Sequence, residues 1–193
     1  MDKRILIINA NPDKESLGHA LAQAYKTGAE SVHARVKFVN LIDLDFDPVM
    51  RSGFKNLQQL EPDLIMMQQE INAVDHLVFV YPNWWGTYPA LLKGFFDRVF
   101  LPGFAFEYQD KSPFPKQLLK GKTARMIVTM DTPGWYYSLI YRSPGHHSIE
   151  KCIMNYCGIS PVRFTSFGIV RKASEPKREA WIKSVSELGR KMI

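Results

Sequence analysis

The feature that most constrains this fold is an alternation. Short apolar runs and segments of helical period follow one another from end to end. The runs at 4–9, 36–41, 76–81, 122–130 and 162–170 have strand length, and the continuous Ile5-Leu6-Ile7-Ile8 suits a central parallel strand buried on both faces. In the second run, Val36, Phe38, Val39 and Leu41 are the candidates for apolar contacts. Residues 16–30 carry Leu17, Ala20, Leu21, Ala24 and Tyr25 on one helical stripe. Further helices are expected at 63–74 (after Pro62), 89–100, 148–156 (stopped by Gly158) and 176–192 (with Ser174 and Glu175 as capping signals). Residues 43–56, 101–120 and 131–145 read as loops. Strands that alternate with helices predict an α/β fold, a five-stranded parallel sheet with helices on both faces. Its ligands bind beyond the carboxyl ends of the strands, where strand order reverses.

At 193 residues, with no repeat and no break in composition, the chain is expected to form a single domain over 1–193. Cys152 and Cys157 form no CxxC pair and cannot supply a four-ligand zinc site. Five apart on a helix, they fall on different faces and read as buried free thiols of a reducing compartment. Only four consecutive apolar residues precede Asn9, too few for a signal peptide, and no run approaches the roughly 20 residues of a membrane span. The expectation is a cytoplasmic protein with no membrane span. The net charge of +6 could serve nucleic acid, an anionic surface or phosphorylated small molecules. No nucleic-acid motif is legible and no four consecutive Lys or Arg occur, so phosphorylated small molecules are favoured over nucleic acid.

The three loops expected at strand carboxyl ends hold the unusual residues. The first, Asn9-Ala10-Asn11-Pro12-Asp13-Lys14-Glu15-Ser16-Leu17-Gly18, feeds a helix N-terminus, where free N–H groups suit an anion. It has neither the Walker nor the dinucleotide glycine pattern, and Gly121-Lys122-Thr123 precedes a strand and is a decoy. Ser16 is either a helix cap alone or a phosphate contact. The second loop, Pro82-Asn83-Trp84-Trp85-Gly86-Thr87-Tyr88-Pro89, either stacks a flat heteroaromatic ring or packs its indoles into the core. The third, Thr129-Met130-Asp131-Thr132-Pro133-Gly134-Trp135-Tyr136-Tyr137, is followed by Gly145-His146-His147. A phenol and an imidazole there could serve a reactive ring with protons, or the histidine is a surface residue. The histidine pair lacks a third ligand at a recognisable spacing, so no metal is expected. Between these loops Phe104, Phe106 and Tyr108 alternate along an extended segment, packed under a lid or facing a partner subunit.

These segments resemble the NAD(P)H:quinone oxidoreductase family of flavodoxin-like flavoproteins, the group of DT-diaphorase and modulator of drug activity B. The strongest match is 82–100, Pro-x-x-Trp-x-x-x-Pro-Ala-x-Leu-Lys-Gly-x-x-Asp-Arg-Val-Phe, continued by Pro102-Gly103-Phe104-Ala105. Asn11-Pro12 with Ser16-Leu17, Tyr137-Ser138-Leu139 and Tyr156-Cys157-Gly158 add to it in the same order. The resemblance implies a flavin-dependent oxidoreductase that passes hydride from NAD(P)H through FAD to a quinone or similar acceptor, working as a homodimer. It implies diphosphate contacts at Asn11, Ser16, Leu17 and Gly18, and an adenine-side contact at Gln68. Isoalloxazine contacts fall along Pro82, Asn83, Trp84, Trp85 and Gly86, with Thr129, Met130, Asp131 and Thr132 at the pyrimidine edge. Tyr137 matches the family's proton-relay tyrosine, and His146 (or His147) is the candidate for its histidine. Phe104, Phe106 and Tyr108 would line the substrate pocket, partly in the neighbouring subunit. The family's usual Thr-Thr-Gly-Gly is here Thr129-Met130-Asp131-Thr132, and a carboxylate at 131 would disfavour an anionic reduced flavin unless it points away. The alternatives are an FMN-dependent azo- or nitroreductase and a flavin-bearing ancillary subunit of a transporter.

Overall fold

The computed structural model describes residues 3–53, 56 and 58–192. In chain order the elements begin β1 (Arg4–Asn9), α1 (Leu17–Glu30), β2 (Arg35–Asn40), α2 (Pro62–Ala73), β3 (His76–Pro82) and α3 (Ala90–Val99). They continue β4 (Phe106–Glu107), β5 (Lys116–Gln117), β6 (Thr123–Thr129), α4 (Gly134–Leu139), α5 (Pro144–His147), α6 (Asn155–Cys157), β7 (Val162–Phe167) and α7 (Glu175–Lys191). The main sheet is parallel throughout, in the order β2-β1-β3-β6-β7. From β1 the chain steps outward to β2 and returns past β1 to β3, so strand order reverses between β1 and β3. Register aligns Asn9 with Val80, Pro82 with Thr129 and Thr129 with Phe167, which brings three loop origins to one sheet edge.

Alternating side chains of the central strands feed two cores. Leu6 and Ile8 of β1, Leu77 and Phe79 of β3, and Met126 and Val128 of β6 pack with Leu64 and Met67 of α2 and Leu92 and Phe95 of α3. On the other face Ile5, Ile7, Val78, Val80 and Ile127 pack with Leu21, Ala22 and Tyr25 of α1 and Val185 of α7. Each fully buried Leu or Ile contributes roughly 1.5–3 kcal/mol relative to exposure, so the pleat of these strands fixes which helices lie on which face.

Several expectations are corrected. The segment 101–120 is not wholly irregular, since β4 and β5 pair antiparallel, Phe106 with Gln117 and Glu107 with Lys116. The 131–145 loop contains α4 and the start of α5, and the 43–56 loop opens with a short 3-10 turn at Leu41–Asp43. Of that loop, residues 54 and 55 lie outside the described residues. The helix expected over 148–156 runs from 144 to 157, with a π-helical stretch at Ser148–Met154. Cys152 and Cys157 nevertheless line the same cleft. Cys152 is exposed rather than buried, whereas Cys157 is buried and burial pushes its thiol up to about 12. The last strand ends at Phe167, because Ile169 takes a positive φ of 59° and a 3-10 turn follows at Val170–Lys172. Among the described residues no helix is long and apolar enough to cross a membrane.

Candidate functional site

After β1 the chain turns through a relay of side-chain acceptors two residues apart. Asn11 N–H donates to Asn9 Oδ1 (3.3 Å), Asp13 N–H to Asn11 Oδ1 (3.0 Å) and Glu15 N–H to Asp13 Oδ1 (2.8 Å). Such local bonds favour turns over helix, so α1 starts only at Leu17. Ser16 is its N-cap: Oγ accepts from His19 N–H (3.2 Å) and donates to Asp13 O (2.7 Å). The first-turn amides, those of Leu17 and Gly18 among them, have no acceptor within the helix, and the helix dipole favours an anion there. Gly18 lets Asn11 close over this end, since a Cβ would sit 3.0 Å from Asn11 Nδ2.

After β3, Asn83 N–H donates to Thr129 O (2.7 Å) and ties the second loop to the third. Trp84 and Thr87 then exchange both backbone bonds (2.9 and 3.0 Å) around Trp85 and Gly86, whose φ values are 54° and 80°. Positive φ at both central residues is the signature of a type I′ turn. This turn engages neither central N–H, and it throws the Trp85 side chain fully into the open, while Trp84 is about half exposed. The core-packing alternative for these two indoles does not hold.

After β6, Thr129 and Met130 are buried, and Met130 exchanges backbone bonds with the β7 side, donating to Phe167 O (2.9 Å) and accepting from Val170 N–H (3.2 Å). Asp131 Oδ1 accepts the Arg171 N–H (2.8 Å), and Oδ2 meets the Arg171 guanidinium at 3.2 Å. The carboxylate is therefore directed to the chain after β7 and partnered there.

Three clefts adjoin. One of about 480 Å³ is lined by Asn83, Trp85, Gly86, Thr132, Tyr141 and Pro144. A second, of about 260 Å³, shares Asn83 and Thr132 and adds Pro82, Trp84, Thr129, Met130, Asp131 and Val170. A third, of about 360 Å³, shares Asp131 and adds Pro133, Ile169, Arg171 and Lys172. The sequence-predicted residues 82–86 and 129–132 are thus brought together. Gln68 is placed elsewhere: its Nε2 donates to Val99 O (2.9 Å) and braces α2 against the end of α3. Phe106 and Tyr108 line a different cleft, of about 340 Å³, with Tyr156, while Phe104 is half-buried against the core.

Tyr137 is buried, and its hydroxyl donates to Gly86 O (3.0 Å) and accepts from Gly145 N–H (3.1 Å). Burial pushes its pKa up, against the opposing pull of the Gly145 and His146 N–H groups and the Asn83 side chain. His146 stacks on Phe164 (centroids 4.3 Å), stands edge-on to Tyr137 (5.1 Å) and places Nε2 3.3 Å from Ser166 Oγ. Burial, reinforced by His147, brings its pKa down to about 4, so the ring is neutral at pH 7. His147 is exposed. Among the described residues no group of three or more His, Cys, Asp or Glu could hold a metal ion.

Sequence reasoning missed Tyr141, Pro144 and Val170 as cleft walls, Gly145 as a partner of Tyr137 and Tyr156 as a neighbour of Phe106 (centroids 5.0 Å). Only Tyr156 carried a signal, an aromatic residue two positions before the helix-stopping Gly158.

Residues 3–188 match a protein family described as having the flavodoxin-like fold. A Haemophilus influenzae protein, named an uncharacterized NAD(P)H oxidoreductase, is 30% identical over 189 residues, covering 94% of this chain and 92% of its own. NAD(P)H dehydrogenase [quinone] 1 of Cavia porcellus is 30% identical over 187 residues, covering 81% of this chain but 65% of its own length. Among solved structures, Smu.1420 of Streptococcus mutans superposes with a TM-score of 0.85 at 29% identity, covering 97% of this chain and 99% of that one.

Proposed function

The chain belongs to the flavodoxin-like fold family, and on that premise we propose that it is an NAD(P)H oxidoreductase that holds FAD and delivers electrons to a quinone or similar acceptor. The observation that carries this reading is the 84–87 turn. It leaves the Trp85 and Gly86 N–H groups outside its own bonding, between an exposed indole and the cleft shared with 129–132. A flat heteroaromatic ring with acceptors along one edge fits that arrangement in shape and in hydrogen bonding.

When bound, a flavin would supply the hydride-transfer chemistry between NAD(P)H and the acceptor. The chain's residues do the rest. Asn11, Ser16, Leu17 and Gly18 present the α1 N-terminus to phosphate. Pro82, Asn83, Trp84, Trp85 and Gly86 hold one edge of the ring, and fixed N–H donors there favour the charge gained on reduction. Thr129, Met130, Asp131 and Thr132 bound the opposite edge, with the Asp131 carboxylate turned to Arg171. The third cleft, with Pro133 and Ile169 as an apolar wall and Arg171 and Lys172 as cations, offers room for the AMP half of FAD beyond an FMN-sized site.

Within one protomer Phe106 and Tyr108 line a cleft that shares no residue with the three at the sheet edge. On the homodimer reading, a second copy contributes these aromatics over the acceptor.

The test is the absorption spectrum of the purified protein, mass identification of the released flavin, and NAD(P)H oxidation with and without menadione. FAD with menadione-stimulated oxidation is expected. Bound FMN with turnover of azo or nitro compounds moves the reading to a reductase of that class. Stoichiometric flavin without stimulated oxidation favours an ancillary subunit, and a protein that takes up neither flavin overturns the reading.

A further inference from the structure

A three-way node lies beneath the 84–87 turn. The Gly86 carbonyl accepts from Tyr137 Oη (3.0 Å) and from Gly145 N (3.2 Å), and the same Gly145 N–H also reaches Tyr137 Oη (3.1 Å). Tyr137 is 2% exposed as a residue, so its side of the node is largely shielded from competing water. Gly145 is required by the close approach: a Cβ there would sit 2.9 Å from Thr87 Cα and 3.1 Å from both Gly86 O and Tyr137 Oη.

The node sits under an unfavourable conformation. Trp85 holds a φ of 54°, a region that bulky side chains avoid, with its indole out of the fold and no packing of its own to compensate. Such a residue persists only when its surroundings over-determine it. The turn's two backbone bonds fix Trp84 and Thr87 to each other, but they do not fix the turn to the molecule. Besides its continuation into the strand and α3, what anchors its tip is the Gly86 carbonyl.

We propose that Tyr137 is a positioning residue. With Gly145, its hydroxyl pins the Gly86 carbonyl inward and thereby keeps the Trp85 and Gly86 N–H groups aimed outward at the flavin ring. This rests on the proposed function and gives the tyrosine a different task from proton relay. Its single hydroxyl hydrogen is engaged with Gly86 O, its oxygen accepts the Gly145 N–H, and the neighbouring imidazole directs Nε2 to Ser166 instead. A phenol so placed acts through the turn.

The experiment compares wild type, Tyr137→Phe and Gly145→Ala. Each is stripped of flavin and titrated with FAD and, separately, FMN by quenching of flavin fluorescence. Menadione turnover is then followed against pH at saturating flavin. The phenylalanine keeps the ring packing and removes only the bonds of the hydroxyl. We expect Tyr137→Phe to weaken both flavins about three- to tenfold, the scale of one net hydrogen bond. Both should weaken alike, because the turn faces the ring they share, and the pH profile should keep its shape. Gly145→Ala reaches the node from the other side with the phenol intact and should show the same loss. It carries the test if Tyr137→Phe fails to fold. Unchanged affinity in the folded variants overturns the inference. So does retained affinity with turnover at least tenfold lower and a titrating limb lost, the mark of a proton donor. A wild-type protein that takes up no flavin overturns the function and this inference together. A wild type that binds flavin no better than Tyr137→Phe overturns the inference alone.

Discussion

Asp131 and Arg171 are bound twice, backbone N–H to Oδ1 at 2.8 Å and guanidinium to Oδ2 at 3.2 Å, joining the chain after β6 to the chain after β7. The pair lies where two of the sheet-edge clefts meet. A carboxylate beside a flavin edge opposes the negative charge of reduction, and a guanidinium held against it cancels most of that field.

Arg171→Ala is therefore expected to expose the carboxylate and lower the midpoint potential of the bound flavin by roughly 10–30 mV, where 30 mV is a tenfold change for a two-electron couple. Asp131→Asn in the same background should restore it. Both side chains are at least half exposed, so the shift should shrink as salt is raised. Potentiometry against reference dyes at two ionic strengths measures both effects, and an unchanged potential in Arg171→Ala places the pair away from the ring.

Arg98 is the most deeply buried Lys or Arg among the described residues, with 1% of its side chain exposed. Its Nη2 donates to Glu61 Oε2 (2.8 Å) and Gln59 O (3.0 Å), and Nη1 reaches the Asp47 carbonyl, so one guanidinium pins the chain before α2 to α3. Arg98→Ala leaves those acceptors unpaired and should cost about 3–5 kcal/mol in urea unfolding. Lys cannot reproduce the fork and should recover less than half. Glu61 feels opposing pulls: burial raises its pKa, but the Asp47 N–H, its own N–H and Arg98 outweigh that, and the net shift is downward. A carboxyl held low in the folded state adds stability above its unfolded pKa and loses it as pH falls through the folded value. The wild type should lose this contribution below about pH 4.5, and Arg98→Ala should show a shallower acid slope.

Parts of this were legible in the sequence and parts were not, for physical reasons. The strands β1 and β3 are buried on both faces, so Ile5–Ile8 and Leu77–Val80 had to be continuous apolar runs. Ser16 and Gly158 act locally, as an N-cap and as a stop with φ of 96°, and local chemistry can be read from local sequence. The helix α4 stayed hidden because six residues are too few to show a period and Thr132-Pro133-Gly134 reads as a turn. The pairing of Phe106–Glu107 with Lys116–Gln117 is too short to leave a pattern. The Tyr137 node joins positions 51 and 8 residues apart, and the Asp131 bridge spans 40, so only the folded chain brings them together.

His146 gives a pH prediction of opposite chemistry to Glu61. Its pKa is lowered to about 4, chiefly by burial, while the unfolded chain titrates near 6.5. Between those values the unfolded state binds the proton and the folded state does not, so stability rises with pH through about 4–6.5 and is fully present above 6.5. His76, brought down to about 3 by burial, acts in the same direction. His146→Gln should flatten the urea-midpoint profile across this window without abolishing the slope, because His76 remains. An identical slope in the variant would place the His146 titration where the unfolded chain has it.

In the cleft lined by Phe106, Tyr108 and Tyr156 the aromatic side chains differ in exposure. Phe106 is buried against Tyr156 and Tyr108 (5.0 and 5.3 Å), whereas Tyr108 is about two-thirds exposed and lies at the open side. If a second copy sets this aromatic cluster over the acceptor, Tyr108→Ala should raise the KM for menadione severalfold and leave flavin affinity and the KM for NAD(P)H nearly as they were, since the lost contact is to the acceptor alone. Light scattering on the same samples should give twice the 22.2 kDa chain mass for both proteins. Phe106→Ala removes a core ring and should cost about 3–5 kcal/mol of stability as well, which separates packing from acceptor contact within one cleft. A monomer with normal menadione turnover would show that the acceptor site is complete within one chain.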